Sequence, residues 1–302
     1  MMKRRFAILD VFTDQARAGN QLGVVFDSEG LDGEAMQSIA REFNFPETIF
    51  LLPAENEAHT AKVRIFTPGT ELPFAGHPTV GAAIALSLED AAQGPDQRIV
   101  VLEEKVGPVR CGVRLDGQAA FAEFDLPVVA TLVKPSPSDA EIALALGLDP
   151  ADIGFENHRP AIYDGGLAYQ LIPVRDLAAV AKATPNPATW TDVINRDNGW
   201  SAYVYCRECV GHDNHFHARM FAPADGIPED PATGSAVASL AGAIAEFDQL
   251  GDGKHEIRIE QGIEMGRPSL ITLGIDIEDG AFQGGRIGGH AVVFARGYLE
   301  DS

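Results

Sequence analysis

The sequence predicts an α+β protein of two similar domains, each a β-sheet wrapped around one central buried helix, and three observations carry that prediction. The chain has 302 residues, 45% of them apolar, more than one hydrophobic core usually serves. A segment recurs: Phe66-Thr67-Pro68 is echoed by Phe221-Ala222-Pro223, and Pro73 by Pro228, at a constant offset of 155. Each copy then passes through a Gly-containing turn into small apolar residues, Ala75 to Ile84 and Pro231 to Leu240. Segments apolar on nearly every face form buried helices.

Taken in order, the start MMKRRFAILDVF reads as a first strand, because Asp10 interrupts the apolar run and no small-residue cleavage site follows. Met36, Ile39, Ala40 and Phe43 fall at helical spacing behind a capping Asp32, and the helix ends near Asn44. Pro46 then turns the chain into a β-rich run, which puts Glu47 at a turn before a strand. Alternation marks further strands at 62–65 and 97–102. A domain boundary is expected near Pro127. Residues 1–127, completed by a C-terminal strand over 286–302, form one domain, and residues 128–285 the other. In the second, Ser138 to Glu141 has the form of a capping box opening a helix that Gly147 ends. Strands are expected from Ala168 to Val174, Ser201 to Cys206 and His217 to Phe221, with a short helix after Asp176. Trp190 and Trp200 are read as packing residues.

Composition narrows the partners. Lys and Arg number 23 against 44 Asp and Glu, a net charge of −21, so nucleic acid and anionic membranes are repelled rather than neutralised. No apolar stretch reaches the roughly 20 residues of a membrane span. Three cysteines, Cys111, Cys206 and Cys209, suit a reducing compartment better than a disulfide scaffold, so a soluble cytoplasmic protein is expected.

A Gly-rich turn feeding a helix N-terminus exposes backbone N–H groups and the positive end of the helix dipole, which attract a carboxylate. Alone, such a turn is usually simple capping; here there are two. His77 and Asp230 sit in them and become candidates to hold one substrate from opposite sides of an interdomain cleft. Glu47, partly desolvated at such a cleft, would have its pKa raised into the acid/base range. Cys206, Cys209, His212, His215 and His217 are zinc-ligand types, but their spacing is too tight for a recognised finger and reads as a metal-free hairpin. No phosphate-loop or dinucleotide fingerprint is present.

Five stretches in order, GNQLGVV from Gly19, PETIF from Pro46, FTPGTELPFAGHPTVG from Phe66, GIPEDPATGSA from Gly226 and QGIEMGRPS from Gln261, resemble the motifs of the phenazine-biosynthesis PhzF-like isomerases. The resemblance implies the diaminopimelate-epimerase-like fold of two pseudo-symmetric domains, no cofactor, and a homodimer. Epimerase and racemase members of that superfamily carry a cysteine in each Gly turn. Ala75 and Pro231 stand at the matching places here, which removes a two-thiol mechanism. By resemblance Glu47 is the general acid/base, His77, Asp230 and Ser235 contact substrate, and Asn20, Gly76 and Gly234 complete the pocket. Pro46 replaces a residue that is commonly Ser in the family, so one hydroxyl is missing beside the glutamate.

The expected function is therefore a cofactor-independent isomerase that moves a proton within a small carboxylate. The alternatives are a one-base racemase or epimerase, which would exchange an α-carbon proton with inversion, and a metabolite-binding protein without turnover.

Overall fold

A computed structural model describes residues 3–91, 95–116, 119–196 and 200–300. The chain divides into two compact units, Met1–Asp125 with Gly288–Ser302, and Leu126–Ile287.

Unit 1 contains β1 (Lys3–Val11), β2 (Asn20–Val25), α1 (Gly33–Phe43), β3 (Glu47–Leu52), β4 (Ala61–Phe66), β5 (Glu71–Leu72), α2 (Gly76–Glu89), β6 (Gln97–Glu104), β7 (Gly107–Asp116) and β8 (Ala119–Asp125). β1 runs antiparallel to β2, β2 parallel to β3, β3 antiparallel to β4, β4 parallel to β6, and β6 to β8 form a meander. These strands enclose α2, which touches β1, β2, β3, β6, β7 and β8. Eleven of its fourteen residues are buried, so its N-terminal end is where polar groups have to collect. α1 lies outside this arrangement. Asp32 Oδ1 accepts from the Ala35 N–H at 2.9 Å, and Asn44 closes the helix in a left-handed conformation at φ 52°. Met36 and Ala40 pack with Val25, Phe50 and Phe66. The stop at Asn44 delivers Glu47 as the first residue of β3.

Unit 2 contains β9 (Thr131–Pro135), α3 (Asp139–Leu146), β10 (Ala161–Asp164), β11 (Ala168–Pro173), α4 (Leu177–Lys182), α5 (Trp190–Val193), β12 (Ser201–Cys206), β13 (Phe216–Ala222), β14 (Ile227–Asp230), α6 (Gly234–Phe247), β15 (Gly253–Gln261) and β16 (Ser269–Glu278). β17 (Ala281–Glu300) leaves it and ends in unit 1, where it pairs antiparallel with β1. From β10 to β16 the pairing repeats the succession seen in unit 1: antiparallel β10–β11, parallel β11–β12, antiparallel β12–β13, parallel β13–β15, antiparallel β15–β16. The buried helix α6 takes the place of α2. It is approached so closely by the β10–β11 turn that a Cβ on Gly165 would stand 2.7 Å from the Ala238 carbonyl carbon. Ser239 on α6 binds the same turn, accepting from the Gly165 N–H at 3.0 Å and donating to the Leu167 carbonyl at 2.7 Å. Trp190 packs with Ile142, Leu146, Val180 and Phe221 in the layer outside the sheet. The Ser138–Glu141 capping box and the left-handed Gly147 stop are both present on α3.

β12 and β13 form a hairpin that pairs Cys206 with His217, and its loop is held by one buried carboxylate. Glu260 accepts from the Val210 and Gly211 N–H groups at 2.6 and 2.9 Å, from Asn214 Nδ2 at 2.6 Å and from His217 Nδ1 at 2.8 Å. His217 Nε2 donates to Glu264 at 2.9 Å, so both ring nitrogens donate and the ring is an imidazolium. Burial opposes that charge, but Glu260 and Glu264 outweigh it and push His217 up to about 9. Burial likewise opposes the Glu260 anion, and its donors outweigh it and bring the carboxyl down to about 2. A group raised from 6.5 to about 9 stabilises the fold fully below 6.5 and loses that contribution as pH rises through about 9. The Glu260 contribution is present above 4.5 and fades as pH falls toward about 2. The melting-temperature difference between the protein and His217→Gln should therefore be greatest between pH 4.5 and 6.5 and shrink as pH passes about 9; a difference independent of pH would refute the ion-pair account.

Candidate active site

In unit 1 the polar groups converge on the first turn of α2. His77 is the second residue of the helix and is 6% exposed. Its Nδ1 lies 3.3 Å from Glu47 Oε2, and its Nε2 lies 3.3 Å from the Gln21 carbonyl oxygen. Parallel pairing of β2 with β3 sets Leu22 beside Glu47, which is why the neighbouring Gln21 carbonyl and the Glu47 carboxyl reach the same ring. Asn20, wholly buried, opens β2 next to them. The preceding Gly19 is required: its φ is +65°, and a Cβ there would stand 2.3 Å from the Val11 carbonyl oxygen. Gly76 begins α2, and no side chain caps its N-terminus.

A carbonyl oxygen only accepts, so His77 Nε2 carries the hydrogen donated to Gln21. Burial pushes the ring down to about 3, with the Gln21 bond working weakly the other way, and it is neutral near pH 7. Nδ1 then presents a lone pair to Glu47. A neutral imidazole does not quench Glu47 by forming an ion pair, and it can receive the O–H of Glu47 when that carboxyl holds a proton.

In unit 2 the corresponding turn of α6 holds a fixed carboxylate. Asp230 ends β14 and is 8% exposed. Thr233 occupies the N-cap position without capping the helix by its side chain; its hydroxyl lies 2.5 Å from Asp230 Oδ2. Gln261, wholly buried, fixes the direction of that bond. Its Oε1 accepts from Tyr203 Oη at 3.1 Å and from the Thr233 N–H at 3.2 Å. Its Nε2 donates to the Asp230 carbonyl at 2.8 Å and to Thr233 Oγ1 at 3.0 Å. Having accepted from the amide, the Thr233 hydroxyl gives its one hydrogen to Asp230 Oδ2. That oxygen is therefore an acceptor. Ser235, the second residue of α6, shares a 2.8 Å hydrogen bond with Tyr169 Oη, and Gly234 opens the helix.

The structure thus gathers Glu47, His77, Asn20 and Gly76 in one unit, and Asp230, Gly234 and Ser235 in the other. Tyr203, Thr233, Gln261 and Tyr169 were given no role by sequence reasoning; the position of Gln261 at the head of QGIEMGRPS was the one signal of its part. In the hairpin, His215 Nδ1 accepts from the Arg258 N–H at 3.0 Å, His217 is taken by its two glutamates, and Cys206 Sγ rests against the Glu208 carbonyl. Among the described residues no three His, Cys, Asp or Glu side chains are grouped to hold a metal ion.

The model of the phenazine biosynthesis-like protein family matches residues 9–297. An uncharacterised isomerase of Mesorhizobium japonicum is 50% identical over 99% of each chain. The trans-2,3-dihydro-3-hydroxyanthranilate isomerase of Pseudomonas aeruginosa is 33% identical over 97% of this chain and 98% of its own. The solved structure of a PhzF-family phenazine biosynthesis protein from Bacillus anthracis superposes with a TM-score of 0.88 at 26% identity, covering all of both chains.

The protonation of His77 is directly measurable. Nitrogen-15 NMR should find a neutral ring with its hydrogen on Nε2 at pH 7, unchanged down to about pH 4. A ring whose hydrogen lies on Nδ1 at pH 7 would show that the lone pair does not face Glu47.

Proposed function

Because the chain belongs to the phenazine biosynthesis-like PhzC-PhzF family of isomerases, we propose that it moves a proton between two carbons of a small, cyclic or amino-acid-like carboxylate, with Glu47 carrying the proton. The observation that carries this reading is Glu47 Oε2 set 3.3 Å from Nδ1 of a neutral, buried His77.

Acting in its carboxylate form, Glu47 takes a proton from a substrate C–H, and the His77 lone pair then accepts from its new O–H. The C–H electron pair enters the adjacent unsaturated system, and negative charge accumulates on the far oxygen or carboxylate. Backbone N–H groups of Gly76 and His77 at the start of α2, reinforced by the helix dipole, suit that charge, as do Gly234 and Ser235 at the start of α6. The proton rests on Glu47, with the His77 lone pair beside it, and is returned to a different carbon. Substrate and product are isomers, so no electrons are gained or lost. Asp230 is assigned to accept from a substrate N–H or O–H. The Pseudomonas aeruginosa relative is named for trans-2,3-dihydro-3-hydroxyanthranilate. Pro46 in place of a family hydroxyl supports a related carboxylate rather than that compound itself.

The proposal also takes the enzyme to be a cytoplasmic homodimer. Three cysteines without a disulfide support a reducing compartment, and among the described residues no helix is long and apolar enough to cross a membrane. Light scattering that returns the mass of a single chain would remove the dimer.

On a converted substrate, Glu47→Gln should leave binding within a few-fold and lower turnover by roughly 100-fold or more. Asp230→Asn should weaken both binding and rate. If Glu47→Gln turned over at near-native rate while Asp230→Asn abolished turnover with affinity intact, the proton would belong to Asp230. Deuterium entering from solvent at an α-carbon with inversion would identify a racemase instead.

A further inference from the structure

One buried acid lies outside this scheme. Glu104 ends β6, is 8% exposed, and meets the first turn of α2 from the sheet side. Thr79 Oγ1 lies 2.7 Å from the Ala75 carbonyl oxygen and 2.7 Å from Glu104 Oε1. A hydroxyl has a single hydrogen. The Ala75 carbonyl only accepts, so at that distance it takes the Thr79 hydrogen, and the contact with Glu104 is sound only if Glu104 supplies one. Glu104 Oε2 has no hydrogen-bond partner among the described residues. That is tolerable for the carbonyl oxygen of a neutral acid and costly for half of a buried anion.

The internal duplication gives independent support. β4 pairs parallel with β6 at Lys62 and Glu103, and β13 pairs parallel with β15 at His217 and Glu260. Glu104 and Gln261 each come next and each end their strand, so they occupy equivalent places beneath the two buried helices. In unit 2 the glutamine amide donates to Thr233 Oγ1, which passes its own hydrogen on to Asp230. A protonated glutamate is the isostere of that glutamine and makes the same kind of chain: Glu104 to Thr79 to Ala75.

We propose that Glu104 is a positioning residue that works as a neutral carboxylic acid, donating to Thr79 and so fixing the turn that carries Gly76 and His77. Burial pushes its carboxyl up to about 7. The groups set against it are Thr79 on α2 and Cys111 on β7, whose thiol burial, Glu104 and Asp125 together push up to about 12 and which therefore stays neutral. When Glu104 loses its proton, the Thr79 hydrogen turns to the new anion. The Ala75 carbonyl then keeps only the Thr79 N–H, at 3.2 Å, and the turn loosens. Because the folded value lies above the ordinary 4.5, stability falls as pH rises from 4.5 through about 7. The kinetic part of this inference rests on the reading of Glu47 and His77 given above; the protonation part does not.

The test begins without substrate. An infrared difference spectrum between the protein and Glu104→Gln should contain a protonated-carboxyl C=O band at about pH 5.5 that disappears as pH passes about 7. Absence of the band, or its loss near 4.5, would overturn the proposal. If Glu104→Gln does not fold, carbon-13 NMR of the glutamate carboxyls in the unaltered protein reads the same titration. In melting experiments Glu104→Gln should lose less stability than the protein as pH rises from 4.5 to about 7, and Glu104→Ala should be destabilised throughout; a glutamine that rescued no better than alanine would deny the hydrogen-bonding role. With a converted substrate, Glu104→Gln should move the alkaline limb of kcat upward by about one pH unit or more, with little change in KM. An absent infrared band alongside a dead Glu47→Gln would sink the Glu104 inference alone, whereas an intact Glu47→Gln would sink the functional reading and leave the infrared result standing.

Discussion

A buried helix leaves backbone groups without intrahelical partners only at its ends, and this constraint organises both units. α2 and α6 are so completely enclosed that the first-turn N–H groups, which no intrahelical carbonyl can satisfy, are the main polar feature each sheet surrounds. Neither helix is capped by its own N-cap side chain. The polar side chains that gather there come instead from strand termini: Glu47 from the start of β3, Asp230 from the end of β14, Glu104 and Gln261 from the ends of β6 and β15. Strand interiors facing a buried helix are closed to such residues, because a polar group without a partner there would cost more than one hydrogen bond returns. Site chemistry is confined to one end of each unit by the same burial that stabilises the fold.

The two units share a strand succession but have diverged in polar equipment. Where unit 1 has Glu47 opening β3, unit 2 has Ser201 opening β12. Where α2 has His77 as its second residue, α6 has Ser235, and Glu104 faces Gln261 across the duplication. Unit 1 thus sets a glutamate against a buried histidine, while unit 2 sets an aspartate against a threonine hydroxyl whose direction Gln261 fixes.

Local features of the fold were legible in the sequence. The Asp32 cap and Asn44 stop of α1, the Ser138–Glu141 capping box and the Cys206–His217 hairpin depend on residues within a few positions of one another. Glu47 and His77 were nominated by motif, but their contact depends on the β2–β3 register and on where α2 begins, neither of which local pattern specifies. Asp230 was singled out from the turn before α6, but its bond to the N-cap residue Thr233 was not legible there. Tyr203 and Glu104 were silent because their roles come entirely from partners far along the chain, and a buried glutamate looks like any other until its neighbours are known.

The pairing of β1 with β17 brings Lys3 opposite Glu300, so unit 1 is built from segments on both sides of unit 2. During synthesis β1 emerges before unit 2, and its outer edge stays open while every strand of unit 2 is made, because its antiparallel partner over residues 291–300 emerges after them. A translating cell therefore carries an unpaired strand edge, the kind of surface that invites aggregation, for as long as unit 2 takes to be made, and the half holding Glu47 and His77 becomes whole only after it.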